Sequence, residues 1–402
     1  MILLLSCYEL GHQPLGIAWP KAFLERAGFA PDTLDLAFEP WDDAKIRRAK
    51  LIAIAVPMHT ALRLGVRTAQ RIRRANPDCR IVFHGLYALL NAEYLLAGIA
   101  DYVLGGEFEE SFVDLVKQLM RGESPRTTYD ARRTRLEFPI PSRDFFVVPP
   151  DVVLGDIRRL IAAGARHITF GDPDFLNGPG HGRKLVRALH AEFPGVSYDF
   201  TAKIEHLLRH RALLPEFART GCAFLVSAVE SLSDVVLANL EKGHTRADAL
   251  AAFDITRDSG VALRPSFMPF TPWETLDSYL ELLDFVGSPD LVDQVDPVQL
   301  TIRLLIPPGS ALLTRPQIQP FLGALDRAAF GYRWTHPDPR MDELHTEVTG
   351  LVATAAGEDP VATIARLHAL AARRARRAYT GGVHLPPPER PIPARLTEPW
   401  FC

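Results

Sequence analysis

Residues 171–174 read Gly-Asp-Pro-Asp and follow a short apolar run. Gly171 and Pro173 make a turn there, and Asp172 and Asp174 place two carboxylates where a buried strand has to stop. Four further runs end in polar residues. Residues 196–201 lead into Lys203, Glu205 and His206, and residues 223–228 end beside Ser227, Glu230 and Ser231. Residues 261–267 carry Arg264 and Ser266, and residues 298–304 contain Gln299, Thr301 and Arg303. The carboxyl ends of parallel strands are the edge at which such sheets bind ligands. Carboxylates hold an ammonium and cations hold a carboxylate, so Asp172, Glu230, Lys203 and Arg264 form a set able to grip a zwitterion. A lone acidic turn more often caps the next helix, and a lone strand arginine more often pairs with a nearby carboxylate. Five polar strand ends in succession favour a binding site over packing alone.

The rest of the chain must supply the elements that aim these residues. Strands are predicted at residues 2–6, 51–56, 80–84 and 102–104, with amphipathic segments such as 17–27 and 62–74 between them. That alternation predicts a doubly wound parallel sheet over residues 1–121. Glu107, Glu109 and Glu110 open its last helix, where the helix dipole is reason enough for acidic residues. Residues 122–144 are polar, with arginine, threonine and proline, and read as a linker.

The βα rhythm resumes over residues 145–315. Pro149, Pro150 and Asp151 start a helix and Gly164 stops it. Five strands then alternate with helices at 182–192, 208–220, 233–240, 246–259 and 274–286. A closed barrel of this kind takes eight strands, so an incomplete α/β barrel is expected. Residues 316–380 read as a helical extension with an Ala/Arg-rich segment at 361–378, and residues 381–402 as a proline-rich, extended tail.

Composition narrows the function. A chain of 402 residues has room for two or three domains, and 47% hydrophobic with 23% charged residues is ordinary for a globular protein. A net charge of −3 gives no reason to expect nucleic acid or an anionic membrane as partner. The basic groups Arg71, Arg73, Arg74 and Arg373, Arg374, Arg376, Arg377 lie on predicted helices, where a solvated face accounts for them. The opening "MILLLSC" is too short for a leader and reads as a first core strand, and no run is long enough to span a membrane. A cytoplasmic location is the expectation. Cys7, Cys79, Cys222 and Cys402 are too scattered for a disulfide framework or a zinc site.

Several stretches resemble radical SAM enzymes. "FGDPDF" resembles the Gly-Gly-Glu-Pro turn after the second barrel strand of that superfamily, and "ARTGCAFLVSAVESLSDVVLANLEKGHT" is similar to its fourth-strand segment. "LRPSFMPFTPWETLDSY" and "QLTIRLLIPPGSALL" resemble the fifth and sixth strands. The first domain, with Pro-Leu-Gly at 14–16 and "GGEFEE" near its end, resembles the cobalamin-binding-type domain found ahead of such barrels. The nearest subgroup by this resemblance is the CUAEP/CCAEP-tail radical SAM proteins. The resemblance implies a site for S-adenosylmethionine along Gly171, Asp172, Pro173 and Asp174. Asp172 would hold the methionine amine, Glu230 and Ser231 the ribose or amino-acid part, and Arg264 or Lys203 the carboxylate. The family reaction is reductive cleavage of S-adenosylmethionine at a 4Fe–4S cluster, giving a 5′-deoxyadenosyl radical that takes hydrogen from a small-molecule or peptide substrate.

The sequence departs from that pattern where the chemistry begins. Members carry a C-x3-C-x2-C loop after the first barrel strand, and three thiolates hold the cluster. No such loop stands here. It is expected near residues 142–147, where the chain passes from the linker directly to the helix before "HITFGDPDF" and a βα unit of roughly 30 residues is missing. Nor is there a D-x-H-x-x-G in the first domain, so a lower-axial ligand for cobalamin is not indicated, and His12, His59 and His84 are expected to be structural. These departures lead to an expected chain of radical SAM type without a cluster. Its second sheet would have an open edge, covered by residues 136–140 or paired with a second copy. The rival expectation is a non-catalytic binding or scaffold protein that keeps a weak site for S-adenosylmethionine or a nucleotide-like ligand. A metal-independent enzyme using the same carboxylates and lysine for acid–base work is the third. Finally, the subgroup's tail continues with cysteine or selenocysteine and Ala-Glu-Pro. By that resemblance Cys402 would begin a redox pair, with UGA as codon 403.

Overall fold

"ILLLS" and "LIAIA" are almost unbroken apolar runs, a pattern that suits strands covered on both faces. They form β1 (Ile2–Ser6) and β3 (Leu51–Ala55) of a six-stranded parallel sheet. The other members are β2 (Asp32–Asp35), β4 (Arg80–His84), β5 (Tyr102–Gly106) and β6 (Thr128–Ala131), in the order β2-β1-β3-β4-β5-β6. Successive residues point to opposite sides. Leu3, Leu5, Ile52 and Ile54 face one core with the helix His59–Ala75, and Leu4, Ala53 and Ala55 face another with the helices Leu15–Arg26 and Glu109–Met120. The computed structural model describes residues 1–9, 14–131, 148–355 and 357–377.

Two strands of this sheet carry little sequence signal. In β2 only Leu34 is buried, and β6 lies inside the stretch expected to be linker. Val103 pairs with Thr128, so part of that stretch is the sixth strand of the first sheet. Residues 136–140 and 142–147, on which the edge cover and the missing loop were expected, lie outside the described residues.

The second unit is an open parallel sheet in the order β10-β9-β8-β7, made of β7 (His167–Phe170), β8 (Ser197–Thr201), β9 (Cys222–Glu230) and β10 (Ala262–Phe267). The α/β class and the incomplete barrel are both present. The expected fifth strand is not. Residues 297–301 form a short 3-10 turn opened by Pro297 and capped by Asp296, whose carboxylate accepts from the Val298 amide at 3.1 Å. The Gln299 side chain takes the Phe267 amide at 3.3 Å, and a single parallel bridge, Phe270 to Arg303, is all that remains of the pairing. The helix expected at 208–220 is also broken, into Ile204–Arg209 and Leu214–Arg219, because Pro215 lacks the amide that a continuous helix needs.

One face of the second sheet is packed under helices. Ile168, Tyr198, Phe200, Leu225, Val229, Leu263 and Phe267 all belong to its large core. The opposite face carries the alternate residues His167, Thr169, Ser197, Asp199, Phe224 and Arg264.

After the second sheet the expected helical extension begins instead with an antiparallel hairpin, β11 (Leu322–Asp326) and β12 (Gly331–Trp334), before the helices Pro339–Thr354 and Pro360–Arg374. This hairpin is a strap. Its base is tied to the second unit, where the Tyr332 amide donates to Ile306 O at 2.8 Å and the Trp334 indole to Leu304 O at 2.7 Å. Its tip enters the first core, where Phe330 is 3% exposed and meets Tyr94 edge-on at 5.1 Å. His59 Nε2 donates to Ala329 O at 2.7 Å. Phe330→Ala is expected to cost about 3 kcal/mol of this docking, as Phe-to-Ala changes in cores do. Hydrogen exchange should then accelerate across residues 86–96, and unchanged exchange there would show that the tip carries no load.

Candidate functional site

The Gly171–Asp174 turn forms as its residue types dictate. Asp172 accepts from the Asp174 amide at 2.8 Å, an Asx turn that stops the strand. Phe175 then packs beneath the helix Pro179–Glu192, against Gly182, where a side-chain Cβ would stand 2.6 Å from the ring. Gly171, Asp172 and Pro173 are exposed, whereas Asp174 is buried. The Asp174 carboxylate takes the Lys203 amide at 3.3 Å, His206 Nδ1 lies 2.7 Å away and Lys203 Nζ 3.9 Å away. Because β8 is the neighbour of β7, Lys203 arrives beside the acidic turn with its ammonium open to solvent. Glu205, two residues further on in the helix Ile204–Arg209, pairs with Arg209.

Glu230 closes β9 across a register shift against β10, with φ of 67°. That left-handed conformation is uncommon for a residue with a side chain, and strain of this kind concentrates at ligand sites. Its carbonyl takes the Met268 amide at 2.8 Å and its carboxylate meets Lys242 at 3.0 Å. Ser231 is buried and donates to Glu274 at 2.9 Å. Burial raises the Glu274 carboxyl above its ordinary range, against hydrogen bonds from Ser278 and Ser231 that lower it.

The remaining expected residues lie elsewhere. Ser227 spends its hydroxyl on Ala202 O at 2.7 Å. Arg264 sits mid-strand on the open face, over the Phe224 ring at 5.5 Å. Arg303 binds Asp342 at 2.7 Å and Trp334 O at 3.0 Å, stacked 3.6 Å above the Trp334 ring, and so anchors the hairpin and a C-terminal helix. The structure thus gathers Asp172, Asp174 and Lys203, sets Glu230 and Ser231 two strands away on the same edge, and turns Arg303 away.

Two groups went unseen in the sequence. His167 and Asp199 meet on the open face of the second sheet, Nε2 to Oδ2 at 2.8 Å. Their signal is the period-two alternation of "HIT" and "SYD", which the reading as buried runs passes over. Glu9 is the second group, at the carboxyl edge of the first sheet, where it accepts from the Gly16 amide at 3.3 Å at the start of the helix Leu15–Arg26. Burial raises its carboxyl to about 7 despite that bond, and Asp35 adds to the rise.

The carboxyl edges of the two sheets face each other. Leu15 Cδ1 lies 3.7 Å from where a Cβ on Gly171 would be, and Leu90 approaches Gly309 in the same way at 3.0 Å. Exposed Leu15, Trp19 and Leu86 belong to the first of these edges. His84, also at that edge, is fully buried between Phe108 and Phe112, and burial pushes it down to about 3, so it stays neutral.

The described cysteines do not converge. Cys7 follows the carboxyl end of β1, Cys79 precedes the amino end of β4, and Cys222 starts β9 in the second unit. Among the described residues, no group of three His, Cys, Asp or Glu side chains is arranged to hold a metal ion. Cys402 lies outside them. No described helix is long and apolar enough to cross a membrane.

No protein-family model matches the chain, and no curated protein matches it. Solved structures do. The cobalamin-dependent S-adenosylmethionine radical enzyme OxsB with aqua-cobalamin bound aligns with a TM-score of 0.66 at 15% identity, over 89% of this chain and 67% of that one. OxsB with aqua-cobalamin and S-adenosylmethionine bound gives 0.65 at 14% identity over the same shares. The chain therefore has the α/β fold of that enzyme, a doubly wound sheet followed by a second parallel sheet. At this identity the likeness is one of fold.

Proposed function

We propose that this chain is a radical SAM-type protein that binds S-adenosylmethionine weakly where the two sheet edges meet, and that it does not assemble a 4Fe–4S cluster of its own. The observation that carries the reading is the turn Gly171–Asp174 with Lys203 beside it, at the edge of β7 that faces the first sheet. Asp172, exposed and with one oxygen uncommitted to the turn, holds the methionine ammonium. Lys203 offers its charge to the carboxylate and Glu230 meets the ribose side, with buried Ser231 bracing the turn behind it through Glu274. The strained backbone of Glu230 supports that role, as does the fold shared with OxsB.

The cluster does not fit the donors present. Three thiolates must converge, and the three described cysteines sit at three separate strand ends. No reductive cleavage is therefore assigned to this chain, and its role is that of a binding or scaffold protein for a nucleotide-like ligand. Calorimetry with S-adenosylmethionine should show a Kd on the order of 0.1–1 mM, since chelation by an iron is not available. Asp172→Ala and Glu230→Ala should each weaken it by roughly 5- to 10-fold, about one charge-assisted hydrogen bond. Binding that both changes leave intact would remove the assignment.

A further inference from the structure

On the open face of the second sheet, Ser197, His167 and Asp199 stand in a line. Ser197 Oγ lies 2.8 Å from His167 Nδ1, and His167 Nε2 lies 2.8 Å from Asp199 Oδ2. Asp199 is 2% exposed and also accepts the Thr169 hydroxyl at 2.6 Å. A carboxylate accepts only, so Nε2 carries the imidazole proton and Nδ1 presents its lone pair to the serine hydroxyl. His167 is further held by stacking on Phe224, with ring centroids 5.8 Å apart. The imidazole keeps 30% of its side-chain exposure and Ser197 is half-buried, so both can be reached from solvent.

We propose that these three residues form a nucleophile–base–orienter relay, a catalytic site separate from the strand-end ligand edge, which takes acyl groups from small activated esters. A hydroxyl within hydrogen-bond reach of a base that a third group orients is the general geometry of an activated nucleophile. In the step, the Ser197 Oγ–C bond forms at the ester carbonyl as the Oγ proton passes to His167 Nδ1. The C–O bond to the leaving alcohol then breaks, and that alkoxide takes the proton from Nδ1. Water repeats the sequence on the acyl-serine and restores the hydroxyl. The charge that develops on the imidazole is held by the buried Asp199 carboxylate. The Ser197 amide is spent on Arg166 O at 3.2 Å, so it cannot serve as an oxyanion donor. The relay is thereby confined to substrates with good leaving groups.

The contact also joins directly opposed residues of neighbouring strands, as cross-strand pairs do. Reactivity separates the two readings. The full chain is incubated with a fluorophosphonate probe and mapped by mass spectrometry, with p-nitrophenyl acetate as a second readout. The expected result is modification at Ser197, a phenolate burst, and a loss of roughly 100-fold in both for His167→Gln and Asp199→Asn. Ser197→Cys should retain the fold and alkylate with iodoacetamide at a rate that also falls when His167 is changed. No modification, modification at another serine, or reactivity indifferent to His167 would each overturn the relay and leave a structural pair.

Discussion

Anaerobic reconstitution with iron and sulfide is expected to leave this chain without a stoichiometric 4Fe–4S cluster. The ligand of such a cluster is the thiolate, and its three donors must reach one point. Burial pushes the Cys7 and Cys79 thiols up to about 11 and raises Cys222 further, so each is held as the neutral thiol. Their positions matter more than their acidity. Cys7 and Cys79 lie toward opposite edges of the first sheet, and Cys222 lies in the core of the second unit. No rotamer change brings them together, because each is locked by its own strand. Iron and sulfide analysis with a visible spectrum checks this. Four irons per chain with a broad absorbance would overturn both the prediction and the proposed absence of cleavage chemistry.

Glu9→Gln is expected to stabilise the protein at pH 8 and to change little at pH 4. Burial is the first cause of the raised carboxyl, and the bonds from Gly16 and Leu15 only partly oppose it. With a folded value of about 7 against an ordinary value of 4.5, the folded state binds the proton more tightly than the unfolded state. Stability therefore falls as pH rises from about 4.5 to about 7, and the loss is complete above that window. A difference of this size corresponds to about 3 kcal/mol at most, less whatever solvent reaches the group. Glutamine keeps a carbonyl for the amides at the helix start and removes the charge. Urea unfolding of both proteins at pH 4 and pH 8 should show a gap only at the higher pH. An equal gap at both would mean that Glu9 does not hold its proton.

Four of the six strands of the first sheet and all four of the second were legible in the sequence because their signals are local. An apolar run such as "LIAIA" can be little other than a strand buried on both faces, and Gly171-Asp172-Pro173-Asp174 makes its turn whatever surrounds it. The polar strand ends were visible for the same reason, and so was the scatter of the cysteines. Register and partners were not visible. The segment that holds Arg303 had the composition of a strand, but Pro297 and the Gln299 side chain replace the pairing it needed, and the arginine turns to Asp342 and Trp334 instead. Strand β6 reads as linker because a four-residue strand at a sheet edge needs few apolar residues. Phe330 gives no hint of its burial, since the core it completes is built by residues more than two hundred positions earlier. His167 and Asp199 became a pair only when β7 and β8 lay side by side in parallel register. Local propensity and turn chemistry act over a few residues and were determined by the sequence itself. Which strand neighbours which, and which face stays uncovered, depends on contacts between distant segments, and only the tertiary structure decided them.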